Sequence, residues 1–408
     1  MDRGYLGRAG HTATLVNGQV LLAGGHTGHE PLNDALLLDN DFHVVSSFEN
    51  ALNPPRYMHT ASDVGSGAVV IAGGFADDYG EVTDAIDVFL EGSFDSSLAG
   101  QPNLNTPRAG HTATVLGDGR VLIAGGQSSK SVLNTSEIIS FVRSANHQNE
   151  GSVLVEAAPS LNHERAFHTA VRLKDGRVLV MGGQTLQNRG LYVHYSIDDL
   201  KESILDSIEI FDPQNGWEPQ KSKLQIARSL HTATLLENGQ VLVTGGFTPQ
   251  GTSAPAEIYD PDKGTGYIIM TPHSLAGQTA TLLEEEEEKE NRVLLVGGGS
   301  VDLIGTPRLE LAANSMIYAP CDATTSGQNR GCGEGGGDIV PGPAEPPGHN
   351  PAAASAVEFQ GGGCVKSPGV TQDGCGTSPS AGGSPWALLL MLLAARRSAG
   401  RRAPSRCS

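Results

Sequence analysis

Cysteine is missing from the first 320 residues of this 408-residue chain; all five cysteines follow, at 321, 332, 364, 375 and 407. The main body therefore needs no disulfide and has no thiolate to offer a metal. Aromatic residues are scarce, at 5%, and a formal charge of −18 repels polyanions, which argues against nucleic acid as a partner. The apolar run at 385–395 falls short of the about twenty residues an ordinary membrane-spanning helix requires. The opening "MDRGYLGRAGHTA" carries no basic and apolar leader. Glycine, by contrast, is abundant at 53 residues, and its placement is periodic.

One unit recurs at a spacing of about fifty residues, the length of a single supersecondary repeat. It reads "RAGHTATLVNGQVLLAGG" from 8, "RYMHTASDVGSGAVVIAGG" from 56, "RAGHTATVLGDGRVLIAGG" from 108, "RAFHTAVRLKDGRVLVMGG" from 165 and "RSLHTATLLENGQVLVTGG" from 228. A degenerate sixth copy starts at 275 and ends on Gly297 and Gly298. "HTATLL" alternates, "QVLVTGG" is a β-branched apolar run, and the Asn-Gly, Gly-Ser-Gly or Asp-Gly between them supplies the positive φ of a tight hairpin. A third run follows each Gly-Gly ("SEIISFV", "DSIEIFDP", "PAEIYDP"), and in most units a fourth ("HVVSSF", "GSVLVEAA", "GYIIM"). Four antiparallel strands in each of six units, with no amphipathic helix between them, predict an all-β fold: a six-bladed β-propeller over 1–320. The sixth unit lacks an obvious fourth strand after "SMIYAP", so we expect a frayed last blade or a segment upstream of Met1, with "DRGYLG" left to close the ring.

The order Arg-x-x-His, hairpin, Gly-Gly and then "IYDP" or "IFDP" resembles the kelch repeat, in the bacterial form related to the central domain of galactose oxidase. The resemblance covers residues 8 to about 320, and the family's later tryptophan survives only as Trp217. It implies a propeller of kelch type. The radical copper chemistry of galactose oxidase uses a Cys-Tyr pair, and the propeller has no cysteine, so that activity is excluded. A sialic-acid epimerase-like activity, known on six-bladed kelch propellers, needs only acids, bases and an arginine around the channel and stays open as the alternative. The leading expectation is a non-enzymatic, monomeric binding propeller with a protein or glycan ligand. It takes no cofactor, and no catalytic or metal-ligating set is assigned.

The repeated residues invite chemistry and also admit a plainer reading. Gly24 and Gly25, Gly73 and Gly74, Gly125 and Gly126, Gly182 and Gly183, and Gly245 and Gly246 follow a strand and lead to another strand, so no helix N-terminus is there to cradle a phosphate. A sharp exit or close backbone approach explains them better. His11, His59, His111, His168 and His231 recur once per unit without a second ligand at short spacing, which favours a ring bonded to the neighbouring blade or its own turn over a metal. Arg8, Arg56, Arg108, Arg165 and Arg228 form either a basic ring for an anion or hydrogen bonds to carbonyls and to acids such as Glu137, Glu209 and Glu257. Repetition in every unit favours the second. The acidic run 284–290 reads as a solvated turn, and the insert 184–203 places Tyr192, His194 and Tyr195 on a loop suited to ligand contact.

From 321 to 383 the chain turns to Gly, Pro, Ala and Ser, the composition of a linker. Residues 384–408 hold "PWALLLMLLAA" and an arginine cluster. Cys-Gly, a short apolar C-terminal helix and arginines in this order resemble the MYXO-CTERM sorting tails. The resemblance implies lipidation or processing at Cys375, a membrane segment over Trp386–Ala395, and export to the cell surface. Export conflicts with the missing leader, so we expect the true start to lie upstream. Cys321 with Cys332, and Cys364 with Cys375, have equal spacing and could form small disulfide loops, the second only if Cys375 is unmodified.

Overall fold

Each hairpin predicted above becomes the inner half of a blade. The computed structural model describes residues 7–94, 103–144, 151–186, 202–251, 254–269, 275–283, 292–302, 308–311, 315–320 and 337–341. Blade one comprises β1 (Thr12–Val16), β2 (Gln19–Ala23), β3 (Ala35–Leu38) and β4 (Val44–Phe48); blade two comprises β5 (Thr60–Asp63), β6 (Ala68–Ala72), β7 (Ile86–Leu90) and β8 (Ser93–Phe94). Blade three has β9 (Thr112–Val115), β10 (Val121–Ala124), β11 (Ser136–Arg143) and β12 (Gly151–Ala158), and blade four β13 (Thr169–Arg172), β14 (Val178–Met181), β15 (Ser207–Asp212) and β16 (Gly216–Lys223). Blade five has β17 (Thr232–Leu235), β18 (Val241–Thr244), β19 (Ala256–Asp260) and β20 (Thr265–Ile269). Blade six takes β21 (Thr279–Leu283) and β22 (Arg292–Val296), a side hairpin of β23 (Gly299–Asp302) and β24 (Arg308–Leu311), then β25 (Ser315–Pro320) and β26 (Gly337–Pro341). Every blade is a four-stranded antiparallel sheet, giving the six-bladed β-propeller.

Strand β26 corrects the expectation of a sixth blade without a fourth strand. It pairs with β25 from Met316 with Pro341 to Pro320 with Gly337, inside the 321–383 segment read as linker. A short "GDIVP" among glycines and prolines offers too little alternation to be recognised as a strand before its partner is known. Residues 2–6, 284–290 and the apolar C-terminal segment lie outside the described residues, and with them the expected helix.

The second strands show how the blades stack. Side chains of a strand alternate between faces, and both faces of β6 are buried: Val69 and Ile71 join the Leu21, Ala23 and Leu37 cluster of blade one, while Ala68, Val70 and Ala72 join Val121 and Ile123 of blade three. The same alternation packs Val178 and Val180 on blade three, and Leu179 and Met181 on blade five. A continuous apolar second strand thus has a sheet on either side, which is why "VLVM" and "VLIA" do not alternate in hydropathy.

Candidate functional site

The Arg-x-x-His and Gly-Gly segments meet on the face of the ring where first strands begin and second strands end. Arg108 is fully buried; its Nη1 donates to the carbonyls of Gly125 (2.8 Å) and Thr135 (3.0 Å), and its Nη2 pairs with Glu137. Arg165 with Gly182 and Glu209, and Arg228 with Gly245 and Glu257, repeat this arrangement. Blades one and two use aspartates that the sequence did not single out. Arg56 pairs with Asp87, at the register of the glutamates, whereas Arg8 reaches Asp34, just before β3. The arginines are engaged by acids and carbonyls of their own blades rather than exposed as a basic ring.

The carboxylates also hold the incoming chain. Glu209 accepts from the backbone N–H of Asn162 (2.7 Å) and His163 (3.1 Å) and from the Asn162 amide (2.8 Å). Burial alone would raise this carboxyl; the Asn162 hydrogen bonds and the Arg165 charge outweigh it and hold the group below the usual range.

Four of the five repeat histidines reach backwards to the preceding blade. His59 Nε2 lies 3.0 Å from Thr12 Oγ1, His111 3.0 Å from Thr60, His168 2.9 Å from Thr112 and His231 3.0 Å from Thr169. Burial, then the charge of the adjacent arginine, holds His59, His168 and His231 well below the ordinary imidazole value and takes His111 to about 3, so the rings are neutral at physiological pH. His11 of blade one is exposed.

The glycine pairs complete the joint. The second glycine donates its N–H to the next blade's arginine carbonyl, from Gly25 to Arg56 (2.9 Å) through Gly183 to Arg228 (2.9 Å), and Gly246 does the same to Leu275 (2.9 Å). At the first glycine, Gly125 for example, φ is 60° and a Cβ would lie 2.5 Å from the Arg165 oxygen. Both close approach and left-handed backbone require glycine there.

In blade six the pattern is rewritten as a set. Leu275, buried, stands where the arginine would be, Met316 occupies the glutamate's register opposite Leu295, and Gln278 replaces histidine, its Nε2 donating to Thr244 Oγ1 at 2.8 Å.

Sequence reading missed the residue just before each repeat histidine, or before Gln278 in blade six. Gly10, Met58, Gly110, Phe167, Leu230 and Gly277 all have φ between 55° and 70°. Met58 lies over Gly10 and Phe167 over Gly110, within an apolar cluster with Tyr57, Phe75, Val82 and Val132. Three glycines at one aligned position were the available signal. Also missed was a contact that does not repeat: His26, fully buried just after a Gly-Gly, accepts from Gly28 N–H at Nδ1 (2.8 Å) and bonds Asp78 through Nε2 (2.7 Å), with Tyr57 edge-on at 5.0 Å.

Among the described residues, one group of three possible metal ligands lies close together, Asp39, Asp41 and His43. It sits in the exposed β3–β4 turn, where Asp39 already accepts the N–H groups of Asp41 (3.0 Å) and His43 (2.8 Å). No helix among the described residues is long and apolar enough to cross a membrane. Tyr192, His194, Tyr195, Cys321, Cys332, Cys364 and Cys375 lie outside the described residues.

The chain is similar to Adagio-like protein 1 of Oryza sativa subsp. japonica, 28% identical over 212 residues, 48% of this chain and 33% of that protein. It is also similar to an F-box/kelch-repeat protein of Arabidopsis thaliana, 26% identical over 283 residues, 61% of this chain and 56% of that protein. The matches thus span a third to just over half of these relatives' length. A solved structure titled "Structure of YjhT" aligns with a TM-score of 0.48 at 12% identity, over 64% of this chain and 84% of its own. A family model described as the KLHDC2/KLHL20/DRC7 Kelch-repeats domain matches residues 10–246, the five units that keep the arginine or histidine pattern and not the rewritten sixth. More than half of the chain falls within that match, and the protein belongs to this kelch-repeat family.

Proposed function

We propose that this propeller is a binding module that recognises a protein or glycan ligand with its loop face, without turnover, and is displayed at the cell surface by its C-terminal tail. The observation that carries the reading is a division of labour within each unit. Arginine, histidine, acid and Gly-Gly hold blades together, while the residue directly after Gly-Gly differs from blade to blade: His26, Phe75, Gln127, Gln184, Phe247 and Gly299. Each of these is buried and bridges back to the residue two before the repeat histidine or glutamine of its own blade (Ala9, Tyr57, Ala109, Ala166, Ser229 or Ala276), so the variable positions anchor the loops of one face on a rigid frame. Tyr79, 73% exposed, and His29 extend the same face through the loops of blades two and one.

Display at the surface rests on the order of Cys375, apolar segment and arginines, with the intervening glycine- and proline-rich chain as a stalk. The test is a glycan and peptide array probed with the full chain, followed by turnover assays on every ligand retained. Loss of binding in Tyr79→Ala with His29→Ala, at unchanged thermal midpoint, is the expected result. Product formation from a retained ligand would replace the binding reading with the enzymatic one.

A further inference from the structure

Of the six residues that follow the Gly-Gly pairs, His26 alone can gain a proton; the others are Phe75, Gln127, Gln184, Phe247 and Gly299. It is fully buried, and both of its ring nitrogens are taken. A backbone N–H only donates, so the bond from Gly28 to Nδ1 (2.8 Å) keeps a lone pair there. The ring hydrogen is then on Nε2, which donates it to Asp78 Oδ1 (2.7 Å). One neutral imidazole thus ties the loop of blade one to the loop of blade two.

Both loops hang from this ring. In blade one, Thr27 Oγ1 accepts the N–H groups of His29 and Glu30 (both 3.2 Å), a turn that Gly28 anchors to His26. In blade two, Tyr57 lies edge-on to His26 and donates its hydroxyl to the Asp77 carbonyl (3.3 Å). Asp77 Oδ1 in turn accepts from the N–H groups of Tyr79 (2.9 Å) and Glu81 (2.8 Å). The exposed side chains of the face, His29 and Tyr79, are therefore placed through one group.

Asp78 and Asp77 face the ring from blade two, with Tyr57 between blades and His29 and Glu30 on its own loop. Arg8 and Arg56, the neighbours of the bridging Ala9 and of Tyr57, are engaged by Asp34 and Asp87. Burial, then the charges of Asp78 and Asp77, pushes the Tyr57 phenol up, so it stays protonated. A second proton on His26 would sit on Nδ1, against the Gly28 N–H. Two donors cannot share that line, so Gly28 must leave, while the bond to Asp78 becomes charged on both sides and strengthens.

We propose that His26 is a proton-controlled latch of the ligand face. Neutral, it holds both loops; protonated, it keeps the blade-two loop through Asp78 and releases the turn 27–30 of blade one. Its bearing on recognition rests on the binding reading above.

Long-range nitrogen–hydrogen NMR spectra of the full chain with labelled histidines, assigned with His26→Gln, should show the His26 hydrogen on Nε2 at pH 7.5 and hydrogens on both nitrogens at pH 5.0. Over that range, hydrogen exchange read by mass spectrometry and corrected for the intrinsic rate should quicken about fivefold in the peptide spanning 27–32. Peptides spanning 77–82 and β10 should not change. His26→Gln, whose amide offers an acceptor and a donor but takes no proton, should keep the neutral exchange and lose the acid response. Asp78→Asn removes the charge that favours the imidazolium and should move the response about one pH unit lower. A His26 hydrogen on Nδ1 at pH 7.5, a 27–32 peptide indifferent to pH or opening together with β10, or an acid response that survives His26→Gln overturns the proposal. None of these measurements uses a ligand, so the latch stands or falls separately from the binding reading.

Discussion

Blade four and blade six solve one packing problem with opposite chemistry. Blade four buries Arg165 against Glu209, both fully excluded from water, and closes the network with carbonyls of Gly182 and Ser207. Blade six has Leu275 and Met316 at the two positions and keeps the strand register. Loss of only one charge would strand the other in a medium that cannot solvate it. The joint replacement teaches that the pair is not required to form a blade; its role is to bind a particular set of backbone groups, the Gly-Gly exit and the incoming loop.

The comparison breaks most severely when one partner is removed. Glu209→Ala leaves Arg165 buried without its carboxylate and frees the Asn162 and His163 N–H groups, so urea unfolding should show a loss of about 3–5 kcal/mol. Adding Arg165→Leu to a Glu209→Met background copies blade six and should recover most of that loss. A double variant no more stable than Glu209→Ala would show that blade six relies on something other than paired replacement.

The histidines separate the blades by pH. In the unfolded chain an imidazole titrates near about 6.5; in the folded chain burial and the neighbouring arginines hold His59, His168 and His231 well below that and His111 at about 3. Below pH 6.5 the unfolded chain therefore binds more protons. Stability is complete above about pH 6.5 and declines as pH falls towards the folded values, by up to about 1.4 kcal/mol per unit for each ring. Gln278 gives the junction of blades five and six no such term. Urea midpoints at pH 7.5 and 5.5 should diverge in the native chain and converge as histidines are replaced by glutamine.

His168→Gln places the blade-six side chain in blade four. Gln278 shows that an amide can reach a threonine hydroxyl across the joint, though the one it finds is Thr244, on β18, rather than Thr232, the β17 threonine equivalent to Thr112. Calorimetry at pH 7.5 should show a loss of about 1 kcal/mol, smaller than for His168→Leu, which leaves Thr112 without its cross-blade partner.

Most of the frame was legible because it is written repeatedly. Aligning copies placed Glu137, Glu209 and Glu257 in the third strand, where Arg108, Arg165 and Arg228 find them. Asp34 was harder to read, since it precedes β3 while Leu36 occupies the glutamate register opposite Leu22. Strand β26 depends on a partner, not on its own pattern, and the direction in which each histidine reaches is a property of neighbouring blades that no single unit contains. The contact of His26 with Asp78 joins loops of two blades and has no counterpart against which to align it.

The backbone before the histidines gives the smallest and most selective test. Gly10 and Gly110 adopt a left-handed conformation without cost, whereas Met58 holds φ 55° with a side chain, sustained by its packing over Gly10 and against Tyr57. Left-handed backbone costs a residue with a Cβ about 1–2 kcal/mol, and glycine avoids it. Met58→Ala loses the packing and keeps the strain; Met58→Gly loses the same packing and relieves the strain. Denaturant unfolding should therefore place Met58→Gly above Met58→Ala by about 1 kcal/mol, the reverse of the order expected in a regular strand. The usual order, with alanine the more stable, would mean that the joint does not hold Met58 in the left-handed region, and that the mixture of glycine and large side chains at this position has another cause.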